Sequence, residues 1–332
     1  MKVALLCMVL AFAFAVFIAP ILIKLIIRLK VKQNILHYVD KHALKQGTPT
    51  MGGLIFLISL IIVYFVVGGY NSILATIILC ATLGYALVGL LDDYLKIRHK
   101  DNLGLKAYQK ALGQLGISVI IAIFIYRSRL VGGEIVLPFS FASIDVDWAI
   151  IPFVIFIFLA VTNAVNLTDG LDGLASGVSV SYLLSFSIVL SIYITNLKNS
   201  GENAVTIGEY TKVMQLCFIL AGAVLGYMCF NAYPAKIFMG DAGSLAIGGF
   251  IACSMAVTKL YLYMPLIGLM FVLSTISVVL QVGYYKMTHK RIFRMAPLHH
   301  HFEQLGVHET KVVAIYIIVT VLLGVLCIAL SL

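Results

Sequence analysis

Charge is what this sequence has least of. Of 332 residues only 11% are Asp, Glu, Lys or Arg, whereas 62% are hydrophobic and the mean hydropathy is +1.06. That composition excludes an ordinary soluble domain and points to a polytopic membrane protein. Cysteine is sparse in another sense. The six (Cys7, Cys80, Cys217, Cys229, Cys253 and Cys327) all lie in apolar runs, with no CxxC pair and no histidine at ligand spacing. They read as small packing residues, not as a disulfide framework or a zinc site. The first apolar run, Val3 to Ile23, has no cleavage-like small-residue site after it and continues through Lys24 into Leu25, Ile26 and Ile27, so it reads as a retained helix and not a signal peptide. Repeats, low-complexity tracts and a soluble domain are also missing, and residues 1–332 read as one transmembrane domain.

What is present is a series of charge-free intervals, and about 20 apolar residues suffice to cross the hydrocarbon core. No charged residue occurs between Lys45 and Asp92, and GGYN at Gly68 to Asn71 breaks this interval into two helices. Further runs cover Ala111 to Tyr126, Trp148 to Asn163, Leu174 to Thr195, Val213 to Phe230, Ala242 to Val257, Leu260 to Tyr285 and Val312 to Leu332. With the N-terminal helix these make ten expected spans in an all-α membrane protein. Alternating the loops places 17 of the 23 lysines and arginines on one side and 6 on the other, which puts the richer side in the cytoplasm and both termini outside. The cytoplasmic loops are then about 30–52, 92–110, 163–173, 231–241 and 286–311. The largest outer loop, Arg127 to Asp147, contains VGGEIVLPF, whose Gly-Gly pair between apolar residues predicts a short hairpin.

The net charge of +9 suits nucleic acid, anionic lipid or a phosphorylated substrate; because the cations lie in loops beside the membrane, no nucleic-acid partner is expected. On the cytoplasmic side five carboxylates gather: Asp92, Asp93, Asp169, Asp172 and Asp241. Asn163 to Leu174 reads NAVNLTDGLDGL, a polar knot between two apolar runs. A solvated turn accounts for it as simply as a functional site does. Asp241 precedes a helix, where a carboxylate is favoured; Asp92 and Asp93 are expected at a helix C-terminus, where the dipole disfavours them. Something positive must compensate, either a hard divalent cation, for which Mg²⁺ with its oxygen ligands fits, or the basic residues Lys45, Lys96, Lys106 and Lys110. Three histidines in APLHHHFE, Ala296 to Glu303, offer donors near neutral pH; zinc is the weaker reading, since adjacent histidines rarely converge and no thiol is near. GDAGS, ahead of a helix, could meet an anion with its backbone amides.

Taken together, TPTMGGL (48–54), GLLDDYLK (89–96), NAVNLTDGLDGLA (163–175), KIFMGDAGS (236–244) and APLHHHFE (296–303) resemble the polyprenyl-phosphate N-acetylhexosamine-1-phosphate transferases over essentially the whole chain. The complete three-histidine loop is similar to the phospho-N-acetylmuramoyl-pentapeptide transferase branch. The resemblance implies transfer from UDP-N-acetylmuramoyl-pentapeptide to undecaprenyl phosphate, with Mg²⁺, in the bacterial inner membrane, and a homodimer as the candidate assembly. It implies Asp241 as metal ligand and Asp92, Asp93, Asp241 and His300 as catalytic. Lys45, Lys96, Asn166, Asp169, Asp172, Asn231, Phe238, His299 and His301 are the substrate-binding candidates, Phe238 for stacking on uracil. Direct attack by the lipid phosphate and a covalent aspartyl route both stay open. A UDP-N-acetylglucosamine transferase is the rival within the enzymes. A secondary transporter is the rival outside them, although transporter sites lie near the bilayer midplane and these acids crowd one face.

Overall fold

The computed structural model describes residues 1–28, 47–99 and 104–332. Apolar runs that must satisfy every backbone polar group internally become helices, and most of the described residues are helical. The order is α1 (Lys2–Arg28), α2 (Gly53–Val66), α3 (Ile73–His99), α4 (Ala107–Arg127), β1 (Glu134–Val136), β2 (Ser143–Asp145), α5 (Ile150–Thr168), α6 (Leu174–Asn199), α7 (Ala204–Asn231), α8 (Gly240–Thr258), α9 (Tyr263–Ile267), α10 (Leu269–Thr288), α11 (Leu298–Gln304) and α12 (Glu309–Ser331).

Nine of the described helices are long and apolar enough to cross a membrane. The tenth expected span, α2, has 14 residues, a rise of about 21 Å against a hydrocarbon core of roughly 30 Å. The GGYN break is present as a 3-10 turn at Gly69–Asn71 between α2 and α3. The interval read as one span from Leu260 is broken at Gly268 into α9 and α10. In the 127–147 loop β1 pairs antiparallel with β2, Glu134 opposite Asp145, so a hairpin forms there. Lys259 ties it to the bundle, its Nζ lying 2.6 Å from Glu134.

Without a hydrophobic force between helices in lipid, packing relies on small residues and close approach. The buried face of α1 carries Ala4, Ala11, Ala15 and Ala19, and α1 packs along α7. At the centre stands α8, every residue from Ala242 to Thr258 buried, flanked by α3 and α5. Gly89 makes the α3–α8 approach possible: a Cβ there would overlap the carbonyl of Asp241. Alternation brings the ends of α3, α5 and α7 and the starts of α4, α6 and α8 to one end of the bundle, and the polar motifs meet there.

Candidate active site

α3 carries the first two acids. It does not stop at them: it runs on to His99, so Asp92 and Asp93 lie about two turns inside it and not at its last residue. Both are buried. One oxygen of Asp92 accepts the Leu105 N–H at 2.7 Å, and the other lies 2.6 Å from Lys96 Nζ, one turn along the same helix. Asp93 turns toward α8 and accepts the N–H groups of Asp241 (3.1 Å) and Ala242 (3.0 Å). It thereby satisfies two of the orphan donors at the α8 N-terminus.

Asp241, in the first turn of α8, is the hub. Lys96 Nζ donates to its Oδ2 at 2.7 Å and Lys110 Nζ to the same oxygen at 3.1 Å. Asn166, near the end of α5, donates to its Oδ1 at 2.7 Å and to Ser244 Oγ at 2.8 Å. Lys110 also donates to Asn166 Oδ1 at 3.2 Å. Two ammonium groups therefore compensate the acids along with the α8 amides, which answers the charge problem posed by the sequence. One oxygen from each of Asp92, Asp93 and Asp241 falls within 4.8 Å of the others. All are hard carboxylate oxygens, the donor set that suits Mg²⁺. Asp92 and Asp93 each meet two donors and Asp241 three, and a carboxylate has about four acceptor sites, so all three acids keep lone pairs for a cation.

A second layer is built by the turn between α5 and α6. Loss of hydration, then the charges of Asp241, Asp93 and Asp172, push the Asp169 carboxyl up to about 8. Gly170 is pressed against the imidazoles of His299 and His300, leaving no room for a Cβ. Asp172 accepts the Ala235 N–H at 2.9 Å, and its own N–H donates to Glu309 at 3.1 Å. Asn231 is buried and committed: its Oδ1 accepts from the Gly173 N–H (3.2 Å) and Ser176 (2.9 Å), while its Nδ2 donates to the Ile237 carbonyl (3.0 Å).

His299 and His300 lie ring against ring, centroids 4.4 Å apart, whereas His301 turns toward Arg294 and Phe293. His299 on α11 is fully buried, neither ring nitrogen finds a partner among the described residues, and burial, then the neighbouring His300, lowers its pKa to about 3. His300 Nδ1 lies 2.6 Å from Glu303, and His301 Nδ1 accepts the Arg294 N–H at 3.1 Å. Phe238 is half-buried; its backbone pairs with the 49–53 segment, its N–H donating to Pro49 at 2.8 Å and its carbonyl accepting from Gly52 at 2.8 Å. Those bonds hold the approach to Asp241 against α2. Lys45 lies outside the described residues.

Asn166, Lys96 and Lys110 thus join the three acids directly, whereas Asp169, Asp172 and the histidines form an adjoining wall. Sequence reading quoted Ser244 within GDAGS without giving it a role, and it missed Glu309 and Gln114, which have no distinguishing neighbours in the sequence and acquire partners only through packing.

Comparison with known proteins agrees with the motifs. The family model described as glycosyl transferase family 4 matches residues 74–259. A second model, described as phospho-N-acetylmuramoyl-pentapeptide-transferase signature 1, matches residues 45–57. Curated proteins with the name phospho-N-acetylmuramoyl-pentapeptide-transferase are similar along nearly their full length. That of Clostridium novyi (strain NT) is 44% identical over 314 residues, covering 94% of this chain and 92% of the relative. That of Clostridium botulinum (strain Alaska E43 / Type E3) is 42% identical over 317 residues, covering 95% and 93%. That of Clostridium perfringens (strain 13 / Type A) is 45% identical over 314 residues, covering 94% of each.

Proposed function

The chain belongs to the phospho-N-acetylmuramoyl-pentapeptide transferases, and from that premise we propose how its residues carry out the transfer. UDP-N-acetylmuramoyl-pentapeptide gives up its phospho-sugar-peptide to undecaprenyl phosphate. The products are UMP and the undecaprenyl-pyrophosphoryl sugar-peptide, the first membrane step of peptidoglycan synthesis. The observation that carries the reading is the Asp241 hub, where two lysines and an amide converge on one carboxylate beside two more acids. The charge count of the loops supports placing this end on the cytoplasmic face of the inner membrane, where a soluble nucleotide and a lipid phosphate can meet.

Asp241 would hold Mg²⁺, with Asp92 alongside. When bound, the ion supplies neutralisation of charge on the pyrophosphate. The chain's own residues do the rest. Each lysine ammonium has three donors; Lys96 directs two to Asp92 and Asp241, and Lys110 directs two to Asn166 and Asp241. Their remaining donors suit substrate phosphate oxygens. Asp93 holds the first amides of α8 and thereby fixes the position of Asp241. A lipid phosphate, with its second ionisation near 6, is largely dianionic at neutral pH, so Asp92 orients it for in-line attack more than it removes a proton.

For the nucleotide, Asp169, held largely protonated at neutral pH, donates a hydrogen bond to an acceptor such as a uracil carbonyl, while Phe238 offers a ring for stacking and Lys45 a cation. Asp172 and Asn231 act by holding the turns at 173 and 235–237. His299, His300 and His301 line the side toward the sugar and pyrophosphate.

The test is UMP release by the detergent-purified protein given undecaprenyl phosphate and Mg²⁺ with either donor. Release with UDP-N-acetylmuramoyl-pentapeptide alone supports the reading. Release with UDP-N-acetylglucosamine alone removes the assignment of the histidine loop.

A further inference from the structure

One layer below the hub, toward the membrane interior, lies a second set of polar groups that the transfer chemistry does not use. Lys110 and Gln114 are one turn apart on α4 and therefore share a face, as do Asn163 and Asn166 on α5. The two helices run in opposite senses, so Lys110 meets Asn166 (3.2 Å) and Gln114 meets Asn163, whose Nδ2 donates to Gln114 Oε1 at 2.9 Å. The second Asn163 donor goes to the Leu159 carbonyl of its own helix at 2.8 Å, which fixes the rotamer. From α3 the Tyr85 hydroxyl donates to the Gln114 carbonyl at 3.1 Å. Its ring stacks on Phe158 of α5, centroids 5.8 Å apart, and lies against Gly249 of α8. Tyr85 is two turns before Asp92 on α3, so the four helices that supply Asp92, Lys110, Asn166 and Asp241 are all pinned at one level. Gln114 is 1% exposed and its Nε2 has no partner among the described residues. Such a buried amide between membrane helices is a poor stabiliser, because a half-satisfied polar group costs what its one bond returns. A single buried amide is, however, an effective device for specifying register.

We propose that the Gln114–Asn163 pair, braced by Tyr85, sets the register of α4 against α5 and so holds Lys110 and Asn166 on Asp241; both are positioning residues for the transfer reaction. The inference rests on the reading of Asp241 as the reaction centre. A slip or rotation of α4 by a fraction of a turn would withdraw Lys110 while leaving the apolar contacts of the two helices largely in place.

The experiment compares the full-length, detergent-purified protein with Gln114→Leu, Asn163→Leu and the swap Gln114→Asn with Asn163→Gln, which keeps one long and one short amide across the interface. The readouts are kcat, KM for the UDP donor and the thermal midpoint. Each leucine variant is expected to lose about 10-fold to 100-fold in kcat, the range for displacement of a reacting constellation by about 1 Å. Donor KM and thermal midpoint should stay close to those of the parent, and the swap should recover most of the lost turnover. Parental kcat in either leucine variant would overturn the proposal. So would a swap no more active than the single variants, or losses of kcat that follow the thermal midpoint. Asp241→Asn is run in parallel: if it stays active, the reading of the centre fails, whereas an inactive Asp241→Asn with active leucine variants removes only the register role.

Discussion

The carboxylate of Asp93 accepts the backbone N–H of Asp241 at 3.1 Å, so one acid of the α3 pair grips the main chain of the acid on α8. With its other oxygen on the Ala242 N–H, Asp93 is a helix cap supplied from a neighbouring helix, and its adjacent partner Asp92 faces Lys96 instead. The two acids therefore predict different variants. Asp93→Asn keeps one acceptor oxygen and should lower both turnover and thermal midpoint, by an amount comparable to loss of an N-cap, about 1 kcal/mol. Asp92→Asn should lower turnover by a similar or larger factor with a smaller change in midpoint. Steady-state UMP release and thermal unfolding in the same detergent check the contrast, and equal midpoints for the two variants would contradict it.

Close approach of α3 to α8 gives a steric prediction. A Cβ at Gly89 would overlap the Asp241 carbonyl, and backbone cannot yield as a side-chain tip can. Gly89→Ala should therefore abolish turnover and lower the thermal midpoint. Gly116 on α4 has nothing within 4 Å of the same added atom, and Gly116→Ala should behave as the parent.

His299 makes folding stability depend on pH. Its folded-state pKa, about 3, lies below the ordinary value of 6.5, so the unfolded chain binds the proton more readily. The contribution of the neutral, buried ring is fully present above about 6.5 and is lost as pH falls toward 3. At pH 5 the loss is about 2 kcal/mol, at about 1.4 kcal/mol per unit. Thermal midpoints measured between pH 7 and pH 5 should fall, and His299→Gln should flatten that dependence; an unchanged slope in the variant would contradict the assignment.

Asp169 titrates in the opposite range. Its carboxyl, raised to about 8, is protonated at neutral pH and ionises as pH rises through that value, turning a donor into an acceptor. Donor KM should rise above pH 8 in the parent. Asp169→Asn, which keeps an N–H donor at all pH values, should remove that rise, and Asp169→Ala should show a high KM throughout.

Much of this architecture is legible in the sequence for a physical reason: in lipid, charge is so costly that charge-free intervals nearly coincide with helices. The break at GGYN follows from a backbone requirement that glycine meets easily, Gly68 lying at φ +66. The hairpin forms in the expected loop, but it turns at 137–142, with Phe139 and Phe141 at positive φ, and not at the Gly-Gly pair that predicted it. Three features depend on the surroundings and were not legible. α3 continues through Asp92 and Asp93 to His99 because Lys96 and the α8 amides neutralise acids that would otherwise end it. Gly268 interrupts an unbroken apolar run where α9 turns into α10, and nothing in hydropathy marks it. Asn231 carries the right residue type for a ligand but is saturated by Gly173, Ser176 and Ile237, a role that only the folded turn reveals. The acids, lysines and Asn166 of the hub were legible because polar side chains at helix ends of one membrane face have few places to go.

The account turns on Asp241 as the acid that holds the metal and receives the lysines. The most direct test is Asp241→Asn in the full-length protein, with Mg²⁺-dependent UMP release measured beside direct binding of Mg²⁺ to the purified chain. The account predicts a folded protein that has lost both turnover and Mg²⁺ binding. Parental turnover at ordinary Mg²⁺ would contradict it.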